Sequence, residues 1–63
     1  QMTLLLAQAM SVSVWDLSGR MVDMLGTLGE GRHVWQAPQA GVFVVHGVDE
    51  NGDVHTQRWI AKP

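Results

Sequence analysis

Apolar and polar residues alternate along most of this chain, in short runs separated by turn-forming residues. Strands with one buried face carry that period of two. Met2 to Leu6 is expected as a first strand and Met10 to Trp15 as a second. Ser11 and Ser13 alternate there with Val12 and Val14, which places the valines on the buried face. Asp16-Leu17-Ser18-Gly19 reads as a hairpin turn, in which Asp16 bonds forward to the backbone and Gly19 takes a positive φ. A third strand follows over Arg20 to Leu25. Gly26, Gly29 and Gly31 then mark a second reversal into a short strand, Arg32 to Trp35. Pro38 cannot donate to a ladder, so Gln36 to Ala40 is a loop. Gly41 to Val48 is the strongest strand signal, because Val42-Phe43-Val44-Val45 is apolar on both faces, as in a central strand. Asn51-Gly52 marks a last hairpin, and Val54 to Ala61 closes the set. Ala7-Gln8-Ala9 is a poor turn by composition. The one rival to an all-strand reading is Met21 to Leu28, where Met21, Leu25 and Leu28 would line a helical face.

Many short strands with frequent turn signals predict an all-β, small immunoglobulin-like antiparallel β-sandwich. Its 63 residues make a single domain at most. A chain this short buries only about 60% of its extended surface, too little for a deep cleft. It has no cysteine, which removes disulfides and thiolate metal sites. Its net charge of −2 argues against nucleic acid and against a polybasic membrane anchor. Met2 to Ala9 imitates a secretory signal, but the apolar run is too short and no basic residue precedes it. No stretch approaches the length of a transmembrane segment. Gln1 is an unusual start, and the expectation is a module cut from a longer protein.

Candidate chemistry is sparse. His33, His46 and His55 fall on three expected strands, and a zinc site would need all three to converge with partners fixing their tautomers. Nothing in their spacing requires it. The plainer expectation puts His46 and His55 toward solvent and His33 half-buried beside Trp35. Ser18 lacks the small residues that frame a hydrolase nucleophile. Asp16 and Asp23 flank a turn, but a chain this small builds no cleft between them. No helix follows the glycines at 26, 29 and 31 to hold a phosphate. No catalytic residue, metal or cofactor is assigned. Trp15, Trp35 and Trp59 are expected mainly as core and cross-strand packing, with Trp59 the most exposed. A shared tryptophan patch for carbohydrate is the alternative.

With the strands placed, a longer pattern stands out: Val12-x-Val14-Trp15-Asp16-Leu17-Ser18-Gly19-Arg20-x-Val22, then Gly31-x-His33, then Gly41-Val42-Phe43, then Arg58-x-x-x-Lys62. It resembles the C-terminal sorting domain of type IX secretion cargo, the Por secretion tail family, from Met10 to Pro63. Each motif is weak alone; their order and spacing carry the resemblance. It implies a β-sandwich with no enzymatic activity that directs an upstream cargo domain from the periplasm across the outer membrane. The partners it implies are an outer-membrane shuttle protein and a sortase that removes the domain and attaches the cargo to the cell surface. It also implies recognition residues: Gly19 and Arg20 in the turn, Gly41 and Phe43 in the strand, and Arg58 and Lys62 in the closing segment. Phe43 stands where Tyr is commoner, and Gly47 where an aliphatic residue is expected. The family's opening is missing, so residues 1–63 are expected to lack part of its N-terminal strand.

The residues also have plainer explanations. Arg20 can pair locally with Asp16. Arg58 and Lys62, an even number of residues apart, share one face of a strand. There they either guard an edge or are read by a receptor that adds a strand. The alternative function is a structural immunoglobulin-like module appended to an extracellular enzyme or to a hook-cap-like scaffold. Exposed edges further allow a dimer by edge-strand pairing.

Overall fold

The computed structural model describes residues 1–62, and Pro63, where the resemblance ends, lies outside the described residues. Among the described residues six strands form: β1 (Met2–Leu6), β2 (Met10–Asp16), β3 (Met21–Leu28), β4 (Gly31–Trp35), β5 (Gly41–Asp49) and β6 (Val54–Ala61). They make two antiparallel sheets packed face to face, a small β-sandwich. One sheet has the order β3-β2-β5-β6 and the other is the pair β1-β4. Among the described residues no helix is long and apolar enough to cross a membrane.

The expected strands all form, with ends shifted by a few residues. β3 differs most, running to Leu28 instead of Leu25. Its register against β2 shifts twice, so that Val22 and Leu25 have no partner opposite them. Each extra residue re-aims the strand. Val22, Leu25 and Leu28 all pack against the core as a result. Bulges thus produce the three-residue spacing that resembled a helical face, and Met21 lies outside that inward set.

Two linkers are crossings between sheets: Ala7-Gln8-Ala9, a poor turn by composition, and the reversal expected at the glycines after β3. Ala7-Gln8-Ala9 carries the chain from β1 to β2, which explains why it lacks turn residues. Gly29-Glu30 carries it from β3 back to β4, beside β1. The two linkers that do close hairpins share one design. In each, an aspartate N–H donates to the carbonyl four residues on, Asp16 to Arg20 at 2.9 Å and Asp49 to Asp53 at 3.0 Å. A glycine three residues after the aspartate takes φ near +85°, Gly19 at 89° and Gly52 at 84°. Both are three-residue loops ending in a left-handed residue. Asn51-Gly52 is therefore the end of a three-residue loop and not a two-residue turn.

The core lies between the sheets. Val12 and Val14 of β2, Phe43 and Val45 of β5, Met2 of β1, Trp35 of β4 and Ala61 of β6 are buried in it. Trp35 meets Phe43 edge-on at 5.4 Å and Trp59 edge-on at 5.9 Å. β5 is central, as expected, but its faces differ. Phe43, Val45, Gly47 and Asp49 are buried on the inner face, while Val42, Val44, His46 and Val48 are only half-buried on the outer one.

Candidate functional site

The register gathers most of the motif residues at one end of the four-stranded sheet. Asp16, which opens the β2-β3 turn, lies opposite Phe43. Phe43 lies opposite Trp59, and Gly41 opposite Ala61. The Gly19-Arg20 turn, the start of β5 and the end of β6 therefore share an end, although 40 residues separate the turn from Ala61 and Lys62. Arg58 lies three pairs in from Gly41, opposite Val44. Arg20 and Lys62 are exposed there, as is Arg58.

Asp16 organises this end. Its Oδ1 accepts the Ser18 N–H at 3.0 Å, the Ser18 hydroxyl at 2.6 Å and the Arg20 N–H at 2.9 Å. These bonds, the Ser18 hydroxyl first, hold its carboxyl below the ordinary value of 3.8. Arg20 Nε stands 3.8 Å from Asp16 Oδ2, with the arginine 86% exposed. The ion pair expected there exists, but in water it is weak and leaves the guanidinium free for another partner.

The other recognition candidates divide by exposure. Phe43 is 3% exposed, so its ring serves packing and no partner reaches it in the folded chain. Gly41 opens β5 with φ +152°. Lys62 follows the last residue of β6, so it shares the strand's direction but not its ladder. Arg58 belongs to the outer face with Thr56 and Ile60, opposite the face of Trp59 and Ala61.

The tryptophans do not form one patch. Trp35 is buried, its Nε1–H donating to Asp23 at 2.8 Å. Trp59 was expected to be the most exposed; it is half-buried, because the inner face of β6 turns its ring onto Trp35 and Phe43. Trp15 sits on the outer face and donates to Ser13 at 2.9 Å. This separation removes the shared aromatic surface that a carbohydrate site would use.

Neither do the histidines converge. His46 pairs with Thr56 and His55 with Gly47, so the two occupy opposite faces of the hairpin instead of neighbouring positions. His33 is half-buried and donates from Nε2 to the Gly29 carbonyl at 2.7 Å. Among the described residues no three histidine or carboxylate side chains are grouped to hold a metal.

Sequence reasoning missed Asp49. Its side chain is 3% exposed. Oδ1 accepts the Asn51 and Asp53 N–H groups at 2.9 and 3.0 Å. Oδ2 faces the Gln8 amide at 3.3 Å and His55 Nε2 at 2.9 Å. An ionised carboxylate only accepts, so Nε2 carries the hydrogen. The His55 bond, foremost, holds this carboxyl low as well. The signal was available, because Asp-x-x-Gly occurs at Asp16 and again at Asp49. The arrangement works as a clasp between the β5-β6 hairpin and the β1-β2 crossing.

A scan against protein-family models and searches of curated proteins and of solved structures found no match for this chain.

Proposed function

We propose that this chain is a non-enzymatic sorting module, the C-terminal address that takes a type IX secretion cargo across the outer membrane to the cell surface. One observation carries the reading. Motif residues scattered from Gly19 to Lys62 meet at one end of the sheet, where Arg20 and Lys62 are exposed, with Arg58 exposed at the middle of β6. A partner can read two cations and a rigid turn there, and a third cation along β6, without entering a cavity. The outer-membrane shuttle is the partner assigned to that end, and the sortase acts on the chain before it. Phe43 and Gly41 support the reading indirectly, by holding β5 in place beneath the exposed groups.

A second reading has its own observation. The buried Phe43 and the self-contained Asp16 turn are fully accounted for by packing and hydrogen bonding, which suits a structural immunoglobulin-like module. Joining residues 1–63 to the C-terminus of a reporter, in a host with a working type IX system, separates the two. Sorting predicts reporter on the cell surface or in the medium. It further predicts at least tenfold less export when Arg20, Arg58 and Lys62 are replaced by Ala in a variant that keeps the wild-type melting temperature. Reporter that stays in the periplasm, or export indifferent to those changes, leaves the structural module.

A further inference from the structure

The two hairpin turns of the wide sheet share one design and differ at their middle residue, Ser18 in one and Asn51 in the other. In both, the aspartate Oδ1 accepts the N–H of that residue, at 3.0 Å from Ser18 and 2.9 Å from Asn51. In both, the following glycine N–H donates to the aspartate carbonyl, Gly19 at 3.2 Å and Gly52 at 3.0 Å. Ser18 also turns its hydroxyl onto Asp16 at 2.6 Å. Among the described residues Asn51 joins its turn through the backbone, and the residue is exposed. Serine therefore serves in one turn where asparagine stands in the other, and the turn itself does not require the amide.

What the amide adds is reactivity. Asn51 is the only asparagine in the chain, and Gly52 follows it. The backbone nitrogen of the next residue can attack an asparagine side chain, and glycine, without a Cβ, leaves that nitrogen unhindered. The Gly52 nitrogen gives its proton to hydroxide and bonds to Asn51 Cγ. The amide C–N bond breaks, ammonia leaves with a proton from water, and a five-membered succinimide closes. Water then opens the ring at one of its two carbonyls. One opening leaves an ordinary aspartate at position 51. The other leaves an isoaspartate, in which the side-chain methylene has joined the backbone. The closed turn restrains the first step, because the Gly52 N–H is committed to the Asp49 carbonyl and swinging the nitrogen toward Cγ breaks that bond. The Asp49 carboxylate is itself held by the N–H groups of Asn51 and Asp53, by Gln8 and by His55. A group protected in this way reacts only as often as its surroundings open.

We propose that Asn51 is a site of spontaneous deamidation gated by the Asp49 clasp, and that the modification in turn loosens the clasp. Either product adds a carboxylate to a turn that already holds Asp49, Glu50 and Asp53, and like charges this close repel. The isoaspartate also lengthens a three-residue loop by one backbone carbon, beneath the bond from the Asp49 N–H to the Asp53 carbonyl. The β5-β6 hairpin and the β1-β2 crossing meet at this turn, so a slow and irreversible change at one exposed residue weakens the hold between the two sheets. Nothing in this depends on the secretion reading.

Peptide mass mapping of residues 1–63, held for days in mildly alkaline buffer, is the test, because it follows the exchange of NH2 for OH at Asn51. The chain should convert when unfolded in urea and at least tenfold more slowly when folded. His55→Ala removes one bond of the clasp at a side chain 48% exposed, so that variant folds; unchanged circular dichroism confirms it. Folded, it should convert severalfold faster than the parent chain, and in urea at the same rate. Asn51→Ser copies the Asp16 turn, so it should keep the parent urea midpoint and show no mass gain in this peptide. Protein converted in urea, refolded and separated by charge should have a lower urea midpoint than its parent. A peptide that stays unchanged in urea overturns the proposal. So do equal rates in the folded and unfolded chain, or a folded His55→Ala no faster than the parent. A His55→Ala rate that already differs in urea would mean the imidazole acts on the chemistry and not on the gate, and a converted protein with the parent midpoint would mean the clasp does not feel the change; either result also overturns it.

Discussion

Gly19 and Gly52 hold the same place in two copies of one turn, each in a backbone conformation that a Cβ disfavours by about 1–2 kcal/mol. Neither position has an atom within 4 Å of where that Cβ would sit, so the cost is conformational and not steric. Replacing either by Ala should therefore destabilise the chain by about 1 to 2 kcal/mol. The turns stand at opposite ends of the sheet, so the double variant should show the sum. Urea unfolding of the three variants checks this; a double variant no worse than one single would mean the turns are coupled. The aspartates that open these turns give a pH prediction. Both carboxyls sit below 3.8 in the folded chain, Asp16 foremost through Ser18 and Asp49 foremost through His55. A lowered folded pKa adds stability above the unfolded value and loses it as the pH falls through the folded one. The urea midpoint should thus decline from about pH 4 downward. Asp49→Asn should lower the midpoint at pH 7 and flatten that decline. Asp16→Asn should do so less, since Asp16 is 31% exposed and Asp49 3%. An acid limb unchanged in Asp49→Asn would show that the clasp gains nothing from ionisation.

At the scale of the strand, β5 tests how far sequence pattern predicts burial. Its run of apolar residues predicts cover on both faces, but with only two packed layers the outer face meets solvent. Val45 is 7% exposed on the inner face, and Val44 beside it is half-buried on the outer. Threonine keeps the branched shape and strand preference of valine while adding a hydroxyl. Val45→Thr should cost about 1–3 kcal/mol, and Val44→Thr no more than about 0.5 kcal/mol. Equal losses would mean that something covers the outer face in solution. The strands were legible because alternation and turn residues are local signals. The exit of β3 was not, because bulges near Val22 and Leu25 replace the period of two with spacings of three. Nor was the sheet to which each strand belongs. Glycines after β3 read alike whether the chain reverses in one sheet or crosses to the other. The motif end was legible as a set of residues but not as a place, since only the β2-β5-β6 register brings Arg20 and Lys62 together. The Asp49 turn was legible in its repeated Asp-x-x-Gly, but the clasp was not, because Gln8 lies 41 residues away and neither it nor His55 carries a periodic mark.

For the whole molecule, unequal sheets imply unequal stability. β2 and β5 are each paired on both sides and supply Val12, Val14, Phe43 and Val45 to the core. β1 and β4 pair only with each other, among the described residues, and hold to the larger sheet through side chains. Met2 and Trp35 are their buried anchors, and the Gln8–Asp49 and Trp35–Asp23 bonds are polar tethers at two places. Parts with few buried contacts open before the whole unfolds. The β1-β4 pair should open as a unit while the four-stranded sheet persists. Native-state hydrogen exchange should then place the paired β2 and β5 amides at the global unfolding limit and those between β1 and β4 below it. Asp23→Ala removes the Trp35 tether and should speed exchange in β4 and β1 more than in β5. Exchange at one common rate in all six strands would mean that the narrow sheet and the wide one unfold as a single cooperative body.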